Sequence, residues 1–285
     1  GLSAGVYMSR AEHTNLIIGS GTGRWHYGQI NQNYLGFPKG IKVNELRQLG
    51  LEQAKNYGSK FSACKVTEIK YEDNLYMLTC SDGTNCQAKT IIYCAGVSDV
   101  WPKNLDIERW VGNFVFWCIT CDGYRARDRK ILVVANRSSS VESIKQFLDF
   151  TGDITVIPNL DDTFLAEESI IELEASGITI MYESMTAVTS DKDTFVVSIG
   201  ANEYRFSMCF SLLGSKPRTE LLVENKLCDL NNKGYVIIND KNRTSNPTLF
   251  AAGDITDKHA HQVATAVHEG AQAAQAATYY LYKHS

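Results

Sequence analysis

Two cysteines separated by two residues, Cys118 and Cys121, are the side chains in this sequence best suited to chemistry. This spacing brings two sulfur atoms close enough to form a reversible disulfide, and neighbouring groups can lower the pKa of one thiol. Half of a zinc site has the same spacing, but no convincing second pair of Cys or His accompanies it. Two unrelated buried cysteines are the remaining alternative. The spacing favours a redox pair.

Asp122 follows the second cysteine directly. Thiol–disulfide exchange requires proton transfer, because the attacking and the leaving sulfur are both thiolates. An adjacent carboxyl group can deliver or accept that proton. An Asp that caps the next turn together with Gly123 is an equally good interpretation of the sequence, and both stay open here.

A second candidate site is the pair Gly253-Asp254, which follows the apolar run Leu249 to Ala252. In α/β sheets, ligands bind at the carboxyl ends of strands, where glycine lets the backbone approach a cofactor closely. The Asp254 carboxylate can accept hydrogen bonds from a ribityl hydroxyl. A helix predicted from Gln262 onwards has N-terminal amides that can face an electron-rich ring. A plain strand, turn and helix without a ligand is the alternative.

The composition of the 285-residue chain excludes several classes of protein. Hydrophobic residues make up 44% and charged residues 21%, which is typical of a packed globular protein of roughly two domains. With 28 basic and 32 acidic residues the formal charge is −4, which disfavours a general nucleic-acid binder. No apolar run approaches the roughly 18 residues of a membrane span. Eight scattered cysteines disfavour a secreted disulfide scaffold, so we expect a protein of the reducing cytoplasm.

Short β-branched runs alternate with helical stretches, which predicts the α/β fold class with parallel sheets and crossover helices. The predicted strands are Leu16 to Ile18, Thr90 to Cys94, Lys130 to Ala135, Ile154 to Ile157, Ile178 to Met181, Tyr235 to Ile238 and Leu249 to Ala252. The predicted helices are Val43 to Tyr57, Ser140 to Phe150, Ala166 to Ala175 and Gln262 to Tyr282. Phe61 to Ile92, with its Ser81-Asp82-Gly83 turn, predicts an antiparallel insert. The segment from Thr248 is expected to return to the first of two domains.

Several motifs occur in a fixed order along the chain. The most specific are Trp117-Cys-Ile-Thr-Cys-Asp-Gly-Tyr124, Phe250-Ala-Ala-Gly-Asp-Ile255 and the helix from Gln262. Gly1-Leu-Ser-Ala-Gly5, Asn33-Tyr-Leu-Gly-Phe-Pro38 and Ala95-Gly96 accompany them. As an ordered set that covers essentially the whole chain, they resemble the low-molecular-weight thioredoxin reductase family of flavoproteins.

This resemblance implies a homodimer with two Rossmann-like, three-layer nucleotide-binding domains. Residues 1–113 and 241–285 would form a discontinuous FAD-binding domain, and residues 114–240 would carry the cysteine pair. Cys121 would face the flavin, Cys118 would exchange with a protein disulfide, and Asp122 would be the acid. The implied cofactor-binding residues are Gly1, Ser3, Ala4, Gly23, Arg24, Trp25, Asn33, Val66, Ala95, Gly96, Gly253, Asp254, His261, Gln262 and Val263.

Two glycine-containing segments bear on the FAD phosphate loop. The loop of this family has two further glycines upstream of Gly1, so we expect roughly ten residues of strand and loop to be missing ahead of it. Gly19-Ser-Gly-Thr-Gly23 superficially resembles a phosphate loop, but no amphipathic helix follows it. A flexible loop near the cofactor is the prediction for that segment.

The sequence departs from the family where NADPH would bind. After the strand Lys130 to Ala135, glycines are expected, but the chain reads Asn136-Arg-Ser-Ser-Ser140. Without glycine, the backbone cannot approach a pyrophosphate. After the next strand, a basic cluster for the 2′-phosphate is expected, but Asp161 and Asp162 occur there. We therefore predict no NADPH binding, although Arg137 and the serines can hold some anion.

The combined prediction is a flavin-dependent reductase that passes electrons from FAD to Cys118 and Cys121, then to a thioredoxin-like protein. Ferredoxin or a second flavin would be the donor, as in the NADPH-independent members of the family, and no metal is predicted. The positive charges at Arg125, Arg127, Arg129 and Lys130 suit an acidic donor protein, with an ordinary solvated turn as the alternative. A conventional NADPH thioredoxin reductase and a flavin-binding redox sensor are the competing functions.

Overall fold

The structure is a computed structural model that describes residues 1–20, 23–160, 164–258 and 260–284. The chain forms two compact units. Unit 1 contains Gly1–His26, Tyr34–Ser98 and Lys216–Ser285, and unit 2 contains Tyr27–Asn33 and Asp99–Ser215. The predicted division into 1–113 with 241–285 and 114–240 concerns which residues bind the cofactor, and it stays a prediction.

Both units contain helices and strands. The helices are α1 (Leu2–Arg10), α2 (Val43–Asn56), α3 (Ile119–Asp122), α4 (Val141–Lys145), α5 (Glu167–Ala175), α6 (Glu220–Glu224) and α7 (Val263–Lys283). The strands are β1 (Leu16–Ile18), β2 (Ile30–Asn31), β3 (Ile41–Lys42), β4 (Lys60–Ser62), β5 (Val66–Glu72), β6 (Leu75–Cys80), β7 (Asn85–Ala88), β8 (Ile91–Tyr93), β9 (Val97–Asp99), β10 (Val115–Phe116), β11 (Ile131–Val134), β12 (Ile154–Ile157), β13 (Thr179–Ile180), β14 (Met185–Asp191), β15 (Thr194–Ile199), β16 (Asn202–Phe206), β17 (Met208–Ser211), β18 (Ser215–Pro217) and β19 (Leu249–Ala251).

Unit 2 is built on a five-stranded parallel sheet in the order β10-β17-β11-β12-β13. Every residue of β11, β12 and β17 is buried. Parallel sheets are covered on both faces, so their strands are continuous apolar runs rather than alternating ones. Ile131 to Val134 and Ile154 to Ile157 have this pattern, which is why the sequence alone located both strands.

The two faces of this sheet have different covers. Ile131 and Val133 pack with Phe147 on the face that α4 and α5 cover. Leu132 and Val134 pack on the opposite face with Phe195 of the antiparallel sheet β14-β15-β16. Unit 2 therefore has three layers, and the predicted α/β, Rossmann-like class is confirmed.

Unit 1 contains two parallel strand pairs, β1 with β4 and β8 with β19, and the antiparallel sheet β5-β6-β7. The antiparallel sheet confirms the predicted insert. Side chains alternate along β19, because successive residues of a strand point to opposite faces. Leu249 and Ala251 join one apolar cluster, and Phe250 joins another with α1 and α7. The segment after Thr248 thus returns to unit 1, as expected.

Small residues allow α1 and α7 to pack closely. A Cβ atom on Gly270 would lie 3.2 Å from the Cβ of Ser3 and 3.3 Å from the backbone nitrogen of Ala4. The Ser3 hydroxyl donates a hydrogen bond to the carbonyl of Val267 at 2.7 Å. The Ala-rich sequence of α7 therefore positions α1, whose first residue follows Gly1.

Two predicted elements differ in the structure. The helix expected over Ser140 to Phe150 is α4 alone, flanked by 3-10 turns at Ser138–Ser140 and Gln146–Asp149. The Ser140 hydroxyl donates a hydrogen bond to the carbonyl of Leu212 at 3.4 Å, a tertiary contact at the point where the 3-10 turn meets α4. The strand expected over Tyr235 to Ile238 is reduced to isolated bridges at Val236.

None of the helices in the described part of the chain combines the length and the apolar character that a membrane crossing requires.

Substitution of Gly270 by Val should destabilise unit 1 by about 1–3 kcal/mol, because the added atoms overpack the contact between α1 and α7. Gln275→Val, at an exposed position of the same helix, is the matched control and should cost no more than about 0.5 kcal/mol. Denaturant unfolding followed by circular dichroism measures both changes. Equal midpoints for the two variants would contradict the close packing.

Candidate functional site

The structure joins Cys118 and Cys121 in a disulfide, with Cα atoms 5.2 Å apart. Cys118 is the N-cap of α3, and its sulfur accepts a hydrogen bond from the backbone N–H of Cys121 at 3.1 Å. Both cysteines are partly exposed. An N–H directed at a sulfur atom favours its thiolate form once the disulfide is opened. The arrangement therefore suits reversible disulfide exchange.

Asp122 lies beside this disulfide and is only 8% exposed. Its carboxylate pairs with the guanidinium of Arg125, with Oδ1 and Nη1 3.3 Å apart. Burial raises the pKa of the Asp122 carboxyl above its ordinary value, and the charge and hydrogen bond of Arg125 oppose that rise. A raised carboxyl pKa is what a proton donor near neutral pH requires.

Three aromatic rings contact one another on the N-terminal side of the cysteine pair. The ring centroids of Tyr27, Trp101 and Trp117 are 5.6 to 5.8 Å apart in edge-on arrangements. Edge-to-face contacts of this kind add packing energy and fix ring orientation. They hold Trp117, and with it the chain that enters Cys118. The three rings thus contact one another within unit 2.

Unit 1 contains a cavity of about 2130 Å³. Many of the cofactor-binding residues that the resemblance implies line it. They are Gly1, Ala4, Gly23, Arg24, Trp25, Val66, Ala95, Gly96 and Asp254. The cavity is larger than the roughly 300–1,000 Å³ of most small-molecule sites, so it has room for a dinucleotide.

Arg24 and Asp254 are 230 residues apart in sequence, yet they form an ion pair at 2.7 Å. Both side chains are largely buried, with exposures of 23% and 19%. Arg24 begins a 3-10 turn, and Trp25 in the same turn lies under the guanidinium of Arg47 at 4.1 Å. The structure therefore brings together two predicted cofactor-binding residues that are far apart in the sequence.

Glu269 is a functional candidate that the sequence interpretation missed. It is 2% exposed, and its Oε2 accepts hydrogen bonds from the Gly253 N–H at 2.6 Å and the Thr256 hydroxyl at 3.3 Å. Gly253 has a φ of +82°, a conformation that favours glycine. Glu269 thus fixes the turn that presents Asp254. The sequence did contain a signal for Glu269, since an acidic residue among the alanines on the buried face of α7 needs a polar partner.

The N-terminus of α7 is closed by a capping box between Gln262 and Thr265. The ring of His261 lies 5.6 Å from that of Tyr235. Val263 is the first residue of the helix. None of the predicted residues His261, Gln262 and Val263 lines the cavity. Their assignment to the cofactor stays a prediction.

The remaining predicted residues occupy different places. Ser3 and Gly253 lie beside the cavity wall, in α1 and in the turn after β19 respectively, without lining it. Asn33 is exposed and belongs to unit 2. Gly21 and Thr22 of the predicted loop, and Asp161 and Asp162, lie outside the described residues.

The cavity-lining residues fit the FAD that the resemblance implies. Gly1 caps α1 without a side chain, and no acidic residue occurs in the first turn of the helix, so phosphate oxygens can approach its N–H groups. Ala95-Gly96 follows β8, with a φ of +67° at Gly96, and brings backbone to the cavity wall. The Asp254 carboxylate provides acceptors for hydroxyl groups. FAD, when bound, would be held by these residues.

Substitution of Glu269 by Ala should cost about 1–3 kcal/mol, because the buried Gly253 N–H and Thr256 hydroxyl lose their acceptor. His268→Ala, at the exposed neighbouring position, is the control and should change stability little. Unfolding midpoints and the flavin retained after gel filtration measure the effect. A Glu269→Ala protein as stable as the control would show that the carboxyl does not hold this turn.

Comparisons with known proteins agree with this geometry. The model of the pyridine nucleotide-disulphide oxidoreductase family matches residues 1–270. The thioredoxin reductases of Treponema pallidum and Rickettsia conorii are each 28% identical to the chain, over 295 and 301 residues. The alignments cover 99% of this chain and 94% and 95% of those proteins.

The fold comparison is equally extensive. The crystal structure of thioredoxin reductase from Streptococcus pyogenes MGAS5005 matches with a TM-score of 0.88 at 23% identity, over 99% of this chain and 94% of that one. At this identity the likeness shows the fold alone. The family match over most of the sequence adds the chemistry. The chain therefore belongs to the pyridine nucleotide-disulphide oxidoreductase family, as a flavin-dependent disulfide oxidoreductase of the thioredoxin reductase-like type.

Proposed function

We propose that the chain reduces the disulfide of a thioredoxin-like protein with the Cys118–Cys121 pair, and that its flavin receives electrons from a donor other than NADPH. The observation that carries this proposal is the partly exposed disulfide whose Cys118 sulfur accepts the Cys121 N–H beside a buried Asp122. FAD, when bound, supplies the two-electron reducing chemistry that opens this disulfide. The thiols then perform the exchange.

The exchange balances with the residues present. Two electrons and two protons convert the Cys118–Cys121 disulfide into two thiols. The Cys118 thiolate attacks a substrate disulfide, forms a mixed disulfide, and expels one substrate thiolate. Cys121 then attacks Cys118, which releases the second substrate thiolate and restores the internal disulfide. The substrate leaves as a dithiol, with both electrons transferred.

Asp122 is the proposed proton donor in this sequence. Burial favours the protonated carboxyl, so a proton is available beside the cysteine pair at a pH where an ordinary Asp is ionised. The Arg125 guanidinium stabilises the carboxylate that remains after transfer. The two opposing influences suit a group that must both give and recover a proton.

The turn after β11 supports a donor other than NADPH. Dinucleotide sites use a glycine turn followed by a regular helix whose N-terminus faces the pyrophosphate. Here a 3-10 turn of three serines follows β11, and α4 has only 5 residues. Ser140 is buried at this turn, so its side chain takes up space that a glycine would leave open.

Reduced ferredoxin is a donor of suitable potential. Plant-type ferredoxins lie near −400 mV and thioredoxin near −270 mV, so a two-electron transfer is downhill by about 6 kcal/mol. Arg127 and Arg129 are exposed on unit 2, whereas Arg125 is engaged with Asp122. These exposed charges suit an acidic protein donor. A second flavin is the alternative donor that the resemblance implies. The resemblance also implies a homodimer, which is part of the proposal.

The two cysteines should give different products when replaced. Cys118→Ser should lower disulfide turnover by more than about 10³-fold, since the attacking sulfur is lost. Cys121→Ser should instead accumulate a mixed disulfide between Cys118 and the substrate, because the resolving thiol is absent. Thiol release and non-reducing mass spectrometry of the photoreduced protein with thioredoxin measure both.

Cys228→Ser is the control, since Cys228 is a half-buried free thiol of unit 1. It should retain turnover. Undiminished turnover in Cys118→Ser would show that the proposed route is wrong. A mixed disulfide trapped on Cys121 in that variant would instead reverse the assigned roles. A protein whose cysteines no reduced donor converts to thiols would instead be a redox sensor.

The donor is tested by the flavin absorbance under anaerobic conditions. NADPH should bleach it little within the time that reduced ferredoxin bleaches it fully, because the turn after β11 lacks the glycine cradle. Arg127→Glu combined with Arg129→Glu should slow the ferredoxin reaction at least about tenfold and flatten its dependence on salt. Lys192→Glu, at an exposed turn of the same unit, is the control.

Rapid and complete bleaching by NADPH would establish the alternative, a conventional NADPH thioredoxin reductase, which the family match and the relatives favour. Equal slowing by Lys192→Glu would show that net charge, rather than the Arg127 and Arg129 surface, governs the ferredoxin reaction.

A further inference from the structure

Unit 1 contains a second group of sulfur atoms, separate in sequence from the redox pair. The sulfurs of Cys64 and Cys80 and a carboxylate oxygen of Asp82 all lie within 4.8 Å of one another. Cys64 and Cys80 are free thiols and buried, with exposures of 5% and 3%, while Asp82 is exposed. Neither the proposed disulfide exchange nor the cofactor-binding set uses these three residues.

The fold holds each of these residues in place. Cys64 follows β4, and the Ser62 hydroxyl donates to its sulfur at 3.3 Å. Cys80 is the last residue of β6 and pairs with Val66 across the antiparallel sheet. The backbone of Cys80 bonds that of Thr84 at 2.9 Å, which closes the turn containing Asp82.

The Asp82 carboxylate is fixed within that turn. Its Oδ1 accepts the backbone N–H of Thr84 at 3.0 Å. The carboxylate is therefore oriented, with lone pairs left for a further partner.

Two sulfurs and one carboxylate oxygen at this separation match the ligands of a zinc ion. Tetrahedral zinc with Zn–S bonds of about 2.3 Å needs its sulfur ligands about 3.8 Å apart. The atoms of the cluster need to close by no more than about 1 Å to reach that geometry. Side-chain rotation in a turn and a strand end can supply such a shift.

We propose that Cys64, Cys80 and Asp82 bind a thiophilic divalent cation, Zn²⁺, as a site that links the end of β4 to the β6–β7 turn. Water or the Cys86 thiol on β7 completes the fourth position. The ion has a path to the site from solvent, since Asp82 is exposed. Its role is structural, holding the antiparallel sheet to the strand pair that precedes it.

The test uses the full chain loaded with FAD and reduced to free thiols before metal is added. Zn²⁺ bound after gel filtration is measured by elemental analysis, and Co²⁺ is titrated as a spectroscopic substitute. A Cys118→Ser/Cys121→Ser double variant is measured alongside, so that binding by the redox pair is separated from binding by the cluster. We expect about one ion per chain in that variant and visible Co²⁺ bands of tetrahedral thiolate coordination, to the red of the flavin absorbance.

Single substitutions then identify the ligands. Cys64→Ser and Cys80→Ser, each made in the double variant, should abolish the Co²⁺ bands. Asp82→Asn should weaken binding at least about tenfold, and because Asp82 is exposed this variant should fold normally. Cys228→Ser, another thiol of unit 1, and Asp73→Asn, an exposed acid in the β5–β6 turn, are matched controls that should bind normally.

Two results would overturn the proposal. One is a double variant that binds neither Zn²⁺ nor Co²⁺, or that binds them equally well after Cys64→Ser and Cys80→Ser. The other is a Cys64–Cys80 disulfide found by non-reducing mass spectrometry in protein kept with a thiol reductant, which would make the pair redox-active rather than ligating.

Discussion

The hydrogen bond from the Cys121 N–H to the Cys118 sulfur is the interaction on which the proposed chemistry depends. It exists because Cys118 caps α3 in an extended conformation while Cys121 is already helical, so one of the free amides of the first turn points back at the Cys118 sulfur. The same turn places Asp122 against the core of unit 2. The proposed nucleophile, resolving thiol and acid therefore all belong to one short helical turn, with buried strands before and after it in the chain.

Unit 1 depends on residues with small side chains or none, which allow close packing and unusual backbone conformations. Gly270 and the alanines of α7 let α1 approach, and Gly253 adopts a φ that other residues avoid. Small residues pack closely but offer few polar partners, so the buried turn needs an acceptor from elsewhere. Glu269 provides it from within the Ala-rich helix. A carboxyl group in an apolar stripe is thus explained by the backbone amide that it satisfies.

Sequence reasoning found what is encoded locally. Continuous apolar runs gave β11 and β12, and the two-residue spacing gave the disulfide, because both depend on neighbours in the chain. It missed the sheet β14-β15-β16, whose strands alternate and border ordinary turns, and it joined α4 to its flanking 3-10 turns. The Glu269 contact and the Cys64, Cys80 and Asp82 cluster depend on long-range packing, to which spacing gives no access. Asp254 was indicated by its place after an apolar strand, and the other predicted residues that line the cavity were found through the resemblance.

Environment explains how a chain with eight cysteines can use two of them for exchange. Burial raises the pKa of Cys209 to about 12 and that of Cys228 to about 11, with Asp229 adding to the latter. Such thiols hold little thiolate near neutral pH and react slowly. Cys118 differs from these two in receiving a backbone N–H at its sulfur. A bound cation would also keep Cys64 and Cys80 out of disulfide exchange, but for a different reason. It would ionise both thiols and occupy the sulfur lone pairs that an attack on a disulfide requires. The Cys118–Cys121 pair then combines the two properties that the proposed exchange needs: a sulfur that can form a thiolate and a sulfur that a substrate can reach.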